Sequence, residues 1–392
     1  MSDYIQKGSR NYRQAVAAIF LGGITAMMTE YCVQPIIPVF AREFDLSPSV
    51  ASLVVSFGTG GMALAMILIA AWAGRLNRKR TMSAALLTSA LLILLMAVTT
   101  DFYTILVLRL LQGIILASYP ALMVAYICEE FSPAILGLVT GFYISGNSMG
   151  GLLGRLVLSA LTDWFSWRIG LGALGVFCLL TGIAFFLALP KSRHHVPAKS
   201  DSAGIMPLLF ASLINPRLVK VYSIGAILAG TFTALYNYIA FPLMAPPYNL
   251  SQAAVGSVFL VFVLGFFTSP LSGAMSDRFG TGRVLALSLL LMLAGCAVTL
   301  LPGLAAMITG LAIFTLGYFA ALPIAASLAG RGVAGDKAQG SALYFLFFYT
   351  GFSVIGTVGG IFFAANGWPG LIVMEAALLA AGLALTWKMD RA

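Results

Sequence analysis

Charged residues are scarce in this 392-residue chain. Asp, Glu, Lys and Arg together make up 9% of the sequence, whereas 60% of the residues are hydrophobic, and the mean hydropathy is +0.98. A water-soluble globule needs far more charge than this on its surface. The composition therefore excludes a soluble domain and predicts a protein that crosses the lipid bilayer many times.

The side chains that usually carry catalysis or bind metals are also scarce. The chain has two His and four Cys. His194 and His195 are adjacent in a basic polar segment, which favours solvated side chains over a pH sensor or a metal site. The Cys residues lie in or beside apolar runs at unrelated spacings, as buried apolar side chains do. Phosphate loops and nucleophile–base motifs are missing as well, so we expect no enzyme activity, catalytic residue, cofactor or metal.

Apolar runs long enough to cross a membrane occupy most of the sequence. A spanning helix needs about 20 predominantly apolar residues, and twelve such runs can be drawn. They are residues 14–40, 49–73, 81–100, 103–127, 134–160, 168–189, 219–243, 252–275, 283–301, 303–327, 339–364 and 368–388.

The net charge of +9 arises mostly from Lys and Arg in alternate loops and tails. Cytoplasmic loops of membrane proteins carry an excess of these residues, and here only Arg42 and Arg168 fall on the opposite side. Both termini are therefore predicted to be cytoplasmic, which requires an even number of spans. This placement attributes the basic charge to membrane topology and not to nucleic-acid binding. The start of the chain lacks a signal-peptide cleavage site, so the first span is expected to remain in the membrane.

A basic polar segment divides the chain into two similar halves. We predict a six-helix bundle at residues 1–190, a cytoplasmic linker at 191–217 and a second six-helix bundle at 218–392. Three glycines of the fifth span recur at one constant spacing in the eleventh span, which indicates an internal duplication. They are Gly146, Gly151 and Gly154, matched by Gly351, Gly356 and Gly359. An interface between two similar bundles can open to either side of the membrane when one bundle rocks against the other.

Short motifs in both halves resemble those of the major facilitator superfamily. The turn at 277–283 resembles its loop signature, and the turn at 75–80 is a weaker counterpart in which Gly74 stands where the family has Asp. Residues 109–113 resemble its fourth-helix motif, and Trp167-Arg168 resembles the start of its sixth helix. The glycines from Gly146 onward resemble its antiporter motif, although Asn147 replaces the usual Pro.

This resemblance covers the whole chain and implies an all-α membrane protein. It implies twelve transmembrane helices in two pseudo-symmetric six-helix bundles, with the twelve-span drug:proton antiporters as the nearest branch. The implied activity is proton-coupled efflux of a drug or metabolite by alternating access in a bacterial cytoplasmic membrane, from one chain acting as a monomer. The gating loops implied by the signature contain Arg75, Arg78, Asp277, Arg278 and Arg283.

Glu30 is an ionisable residue inside the first apolar run. A charge within a membrane helix is expensive, so it usually faces a partner or a water-filled path for ions or substrate. Pro35 and Pro38 each remove a backbone donor close by and should loosen the helix, as cavity-lining helices tolerate. Glu30 is therefore predicted to carry a proton, with a purely structural charge as the alternative.

Arg109, Arg155 and Glu375 are the other ionisable residues inside predicted spans. We predict that Glu30 alternates between a protonated form and a form paired with Arg109, so that an incoming proton competes with the ion pair. Arg155 has two open interpretations, an Arg extending to the outer surface or one that pairs with substrate or an acid. Glu375 lies in the last span, where a structural role is favoured.

Polar and aromatic residues near the middle of the spans are candidates for a substrate cavity. They are Tyr31, Gln34, Tyr126, Asn147, Tyr236, Asn237, Tyr238, Tyr344 and Tyr349. A small molecule, protons and the bilayer are the expected partners. Two alternatives stay open: a proton-independent or import-type carrier of a metabolite, sugar or organic anion, with Arg109 and Arg155 as anion ligands, and a non-transporting membrane binding protein.

Overall fold

The computed structural model describes residues 4–72, 76–192, 214–331 and 337–387. Arg75 and most of the predicted linker lie outside the described residues. The described chain is almost entirely helical. Its helices in chain order are α1 (Arg10–Tyr31), α2 (Ile37–Glu43), α3 (Pro48–Trp72), α4 (Arg78–Val98), α5 (Phe102–Leu116), α6 (Ser118–Glu130), α7 (Leu136–Trp164), α8 (Trp167–Ala188), α9 (Pro216–Tyr238), α10 (Ala240–Met244), α11 (Gln252–Ser257), α12 (Leu264–Phe279), α13 (Thr281–Thr299), α14 (Leu304–Arg331) and α15 (Lys337–Trp387).

Ten helical stretches of the described chain are long and apolar enough to cross a membrane. The last of these, Leu343–Thr386, holds two helices, because Asn366 and Gly367 have non-helical backbone angles between them. The Gly- and Ser-rich helix α7 is 29 residues long and adds another. Counted this way, the described chain is consistent with the twelve predicted spans.

Three predicted spans are interrupted along their length. The first breaks after Tyr31 and continues through a 3-10 turn, Gln34–Ile36, into α2. The fourth breaks between α5 and α6, where Pro120 offers no N–H to the carbonyl one turn earlier. The eighth contains a 3-10 segment, Val258–Val263, between α11 and α12. Each predicted span therefore marks the right segment without marking its break.

Buried apolar side chains form a large core in each half of the chain and one small cluster between the halves. Residues 15–189 supply two clusters, residues 218–379 supply one large cluster, and Tyr349 packs with residues 62–69 of α3 in the small one. We refer to the described residues before the linker as the N-terminal half and those after it as the C-terminal half. The exact domain boundaries stay a prediction.

The repeated glycines make the same kind of contact in both halves. A Cβ at Gly146 on α7 would collide with the carbonyl oxygen of Phe20 on α1, and a Cβ at Gly351 on α15 would collide with that of Ala226 on α9. Small residues at these positions let two helix backbones approach closely. The spacing seen in the sequence therefore reflects one packing contact used twice.

The two halves are hydrogen-bonded to each other near α2, at what we call the α2 end of the molecule. Ser49 on α3 donates to the carbonyl of Thr357 at 3.1 Å, and the Gln252 side chain on α11 donates to the carbonyl of Pro35 at 2.9 Å. The Gln252 backbone N–H donates to Asp163 on α7 at 3.2 Å. These contacts hold α11 and α15 of the C-terminal half against α3 and α7 of the N-terminal half.

The opposite ends of α7 and α12 are not packed in this way. A Cβ added at Gly137 or Gly141 on α7, or at Gly273 on α12, would meet no atom within 4 Å among the described residues. Closer to the α2 end, the space beside Gly256 on α11 is instead filled by Ser159 of α7. The α7 contact with the C-terminal half is therefore concentrated at the α2 end.

Candidate functional site

The site is built around the break that follows Glu30. Helix α1 ends at Tyr31, and Pro35 has no N–H to give to the carbonyl one turn earlier. The turn leaves the carbonyls of Thr29 and Glu30 free to accept hydrogen bonds from side chains. The two prolines thus loosen the helix beside the acid, as their positions in the sequence predict.

Arg109 on α5 uses these free carbonyls. Its guanidinium donates to the carbonyls of Val54, Thr29 and Glu30 at 2.8, 3.0 and 2.5 Å, and to the Gln112 side chain at 2.6 Å. The side chain is fully buried. Gln112 also donates to Thr29 at 3.2 Å, so α1, α3 and α5 are joined by one polar cluster.

Close helix packing makes room for this arginine. A Cβ at Gly58 on α3 would lie 2.7 Å from both Arg109 Nη2 and Glu30 Oε1, and a Cβ at Gly113 on α5 would collide with the carbonyl of Gly58. The α3 and α5 backbones can touch only because both residues lack a side chain. The Arg109 guanidinium therefore reaches α1 because Gly58 has no side chain in its way.

Glu30 forms the ion pair with Arg109 that its position predicts. Its Oε1 lies 3.6 Å from Arg109 Nη2, and both side chains are fully buried. That distance is too long for a hydrogen bond, and within the described chain neither carboxylate oxygen has a hydrogen-bond partner. Arg109 is thus held by backbone carbonyls, while the Glu30 carboxyl is held by charge alone.

Arg155 on α7 forms a second cluster at the interface between the halves. Its Nε donates to Gln34 Oε1 at 2.8 Å and its Nη1 to the Gly151 carbonyl at 2.6 Å. The residue is only 4% exposed. Among the described residues it forms no ion pair with a carboxylate, so of the two interpretations an Arg extending to the outer surface does not fit.

Three aromatic rings surround the Arg155 guanidinium. Its Cζ lies 4.9 Å from the ring centre of Tyr31, 5.2 Å from that of Phe259 and 5.1 Å from that of Phe262. A ring face attracts a cation, by about 0.5–2 kcal/mol for each contact. Both phenylalanines belong to the C-terminal half, so the rings hold Arg155 across the interface.

Gln34 continues this cluster into the C-terminal half. Its Nε2 donates to Asn237 Oδ1 at 2.8 Å, and both side chains are buried. In the described structure the Asn237 Nδ2 group has no acceptor. Tyr31 and Gln34 of the predicted cavity are thus brought together with Arg155 and Asn237.

Three other aromatic residues of the predicted cavity lie outside these two clusters. Tyr236 shares a 2.5 Å hydrogen bond with Thr315, and Tyr238 donates to Ser52 of the other half at 2.8 Å. Tyr349 packs in the apolar cluster that α3 shares with α15. These residues line the contact between the halves.

Four more predicted site residues are not part of either cluster. Tyr126 donates to the carbonyl of Pro190 at 3.1 Å, beyond the end of α8, and Tyr344 packs against Gly225. Asn147 lies against Gly23 of α1. Glu375 is fully buried near Cys296 of α13, and its oxygens have no hydrogen-bond partner in the described chain.

The predicted gating residues make different contacts. Arg78 forms a 2.7 Å ion pair with Glu129 at the end of α6. The Arg278 guanidinium lies 5.2 Å from the ring centre of Phe279. Asp277 and Arg283 take part in no ion pair within the described residues.

Sequence reasoning missed several residues that build the site. Gln112 was part of the fourth-helix motif and could have been inferred from it. Phe259, Phe262 and Gly58 carried no signal, because Phe and Gly are common throughout the membrane spans. Their roles follow only from the way the helices meet.

Two helical halves that meet around buried charges define a polytopic membrane protein with a polar centre, the architecture of a transporter. Residues 19–239 and residues 222–392 each match the sequence profile of the Major Facilitator Superfamily. The chain belongs to this superfamily, and it is a multi-pass membrane transporter.

Two relatives that are named as transporters match this chain over nearly their whole length. The chain is 37% identical to YybF of Bacillus subtilis (strain 168), an uncharacterized MFS-type transporter, over 99% of this chain and 96% of that one. It is 34% identical to the inner membrane transport protein YnfM of Escherichia coli (strain K12), over 100% and 94%. A bacterial homologue of the human lysosomal transporter Spinster, in an inward-facing and occupied conformation, shares the fold with a TM-score of 0.78 at 17% identity, over 99% and 98%.

Proposed function

We propose that this protein is a proton-coupled secondary transporter that moves a small organic compound by alternating access, in the direction of export. The observation that carries the proposal is the break after Glu30. It puts a buried carboxylate without hydrogen-bond donors next to the residues that join the two halves. The proposed location is the bacterial cytoplasmic membrane, with both termini cytoplasmic and one chain as the working unit.

The interface supports alternating access. With cytoplasmic termini, the α2 end faces outward, and the hydrogen bonds between the halves close the outer side. The unpacked glycines of α7 and α12 lie toward the cytoplasmic side. This arrangement is that of an inward-facing transporter, and breaking the bonds at the α2 end would open the other side.

The break in α1 supports coupling between the proton and the substrate. Glu30 lies in the Arg109 cluster, while Tyr31 and Gln34 reach the Arg155 cluster. A change in the Glu30–Arg109 pair would therefore move the residues that hold the two halves together. The proton and the substrate would interact through the position of this segment, without competing for one site.

A thermal-shift screen identifies a ligand first, with ethidium, tetraphenylphosphonium, benzoate, arabinose and phenylalanine as probes. A ligand that binds the folded protein raises its melting temperature by mass action. The probe that stabilises is then added to proteoliposomes that contain a pH-sensitive dye. We expect proton movement when the probe is added, and we expect Glu30→Gln to abolish it while still binding the probe.

Glu375→Gln is the matched control, because Glu375 is equally buried but lies outside both clusters. Its proton movement should equal that of the unmodified protein. Proton movement that persists in Glu30→Gln would contradict the role of Glu30. Binding without flux of any probe would contradict transport.

A proton-independent metabolite carrier is the second candidate. The observation that favours it is the set of backbone carbonyls that hold Arg109 whatever the charge on Glu30. In that case Glu30 only balances the buried guanidinium. Probe uptake that is equal with and without a proton gradient would select this candidate.

A further inference from the structure

We propose that the transported compound is an organic anion with a flat aromatic or apolar body, and that Arg155 binds its carboxylate. This inference rests on the proposed transport function, because it names the substrate class of the same site. The observation behind it is a buried guanidinium at the interface that has no carboxylate partner among the described residues.

The charges around the interface do not balance. Arg109 and Arg155 are both buried there, and Glu30 is the one acid in the described residues that faces them, paired with Arg109. The set therefore carries one positive charge when Glu30 is ionised, and two when it is protonated. A buried charge without a counter-ion is unfavourable, and an anionic ligand would supply the counter-ion.

Hydrogen-bond donors near Arg155 also lack acceptors among the described residues. A guanidinium has five N–H donors, and the described contacts of Arg155 use its Nε and Nη1. Its Nη2 has no described protein acceptor. Asn237 Nδ2 is a buried donor without an acceptor in the described chain, and it belongs to the side chain that bonds to the other end of the Gln34 amide. A carboxylate oxygen is a suitable acceptor for either kind of donor.

The aromatic rings around Arg155 indicate the shape of the apolar part of the ligand. Tyr31 and Phe262 remain partly exposed beside the guanidinium, whereas Phe259 is buried. Tyr31 also lies 6.0 Å from Phe352, and Phe262 lies 5.2 Å from Phe232, between ring centres. A flat ring can stack among these side chains while its acid group reaches Arg155. A lipophilic cation would instead be repelled by the guanidinium.

Three compounds with the same ring separate charge from shape: 2-naphthoate, 2-naphthamide and 2-naphthylmethylamine. Their affinities are measured by intrinsic Trp fluorescence quenching on the purified full-length protein. We expect 2-naphthoate to bind best and the amine to bind worst. In Arg155→Gln, binding of 2-naphthoate should be about 10- to 100-fold weaker, as for loss of a charge-assisted hydrogen bond, while binding of 2-naphthamide should change less than about 3-fold.

Two further variants test the geometry and guard against misfolding. Arg155→Lys keeps the charge, so it should fold and keep part of the preference for 2-naphthoate. Phe262→Leu should weaken all ring compounds equally. Arg42→Gln is the matched control, because it removes a basic residue near the same membrane face and should leave all three affinities unchanged.

The results distinguish failure of this inference from failure of the proposed function. Equal affinity for the three compounds, or unchanged 2-naphthoate binding in Arg155→Gln, would overturn the anion assignment. If proteoliposomes still transport another probe through a Glu30-dependent step, the proposed function stands without it. If nothing is transported, the proposed function itself fails.

Discussion

Arg109 is predicted to stabilise the fold, in contrast to the ligand-binding role proposed for Arg155. Arg109→Gln would remove the cation beside Glu30 and the hydrogen bonds that Arg109 donates to the carbonyls of Val54, Thr29 and Glu30. Removing one partner of a buried ion pair costs about 3–5 kcal/mol. The Thr29 carbonyl keeps the hydrogen bond that Gln112 already donates to it. We therefore expect the free energy of unfolding to fall by about 3 kcal/mol or more.

Unfolding by dodecyl sulfate in mixed micelles, followed by Trp fluorescence, measures this loss. Adding Glu30→Gln to Arg109→Gln removes the unpaired carboxylate, so the double variant should regain about 1–2 kcal/mol. Arg168→Gln is the control, because its 2.5 Å ion pair with Glu43 is about one-third exposed. A pair of that kind contributes about 0–1 kcal/mol.

Two results would refute the reasoning about Arg109. One is a loss below about 1 kcal/mol in the single variant, which would mean that the buried carbonyls and carboxylate do not need the guanidinium. The other is strict additivity in the double variant, which would mean that the 3.6 Å approach to Glu30 carries no coupling energy.

Three more predictions follow from the packing, the interface and the helix caps. Gly351→Leu should destabilise the protein, because its side chain would collide with α9, whereas Gly273→Leu should be neutral because nothing lies within 4 Å of its Cβ; melting temperatures compare the two. Gln34→Leu should loosen the α2 end and speed maleimide labelling of the buried Cys32, in a protein that keeps only this cysteine, and unchanged labelling would contradict a bridging role. Hydrogen bonds from the side chain and backbone of the α5 N-terminus hold the pKa of Asp101 below its usual value, so their stabilisation should be present above the unfolded-state pKa and lost as pH falls through the folded one. Asp101→Asn should remove this part of the acid sensitivity, as melting curves against pH would reveal.

The sequence was sufficient to single out the ionisable residues, to predict that Pro35 and Pro38 loosen the first span and to predict that Glu30 pairs with Arg109. The composition made Glu30, Arg109 and Arg155 stand out, because charge is rare in an apolar chain. The sequence left open how α5 comes close enough to α1 for this pair to form. The glycine contact between Gly58 and Gly113 decides it, since it brings α5 close enough to α1 for Arg109 to reach Glu30.

The sequence also assigned too many residues to the substrate cavity, because it does not show which helices meet. Tyr126 and Tyr344 have the same chemistry as Tyr31, and nothing in their local sequence distinguishes them. Tyr126 bonds to Pro190 at the end of its own half, while Tyr31 lies beside Arg155 at the interface. Position along a span does not reveal which face of a helix meets the other half.

The sequence alone determined that this protein crosses the bilayer many times through apolar helices and that its two halves are alike. These properties follow from composition, from the length of apolar runs and from a repeat, all of which are local or periodic along the chain. Only the tertiary structure decided which buried charge is balanced and which is not. The charge balance depends on the close contact of two helix backbones at Gly58 and Gly113. It also depends on the phenylalanine rings of the C-terminal half that pack against Arg155 of the N-terminal half. Such contacts join residues that are far apart in the sequence.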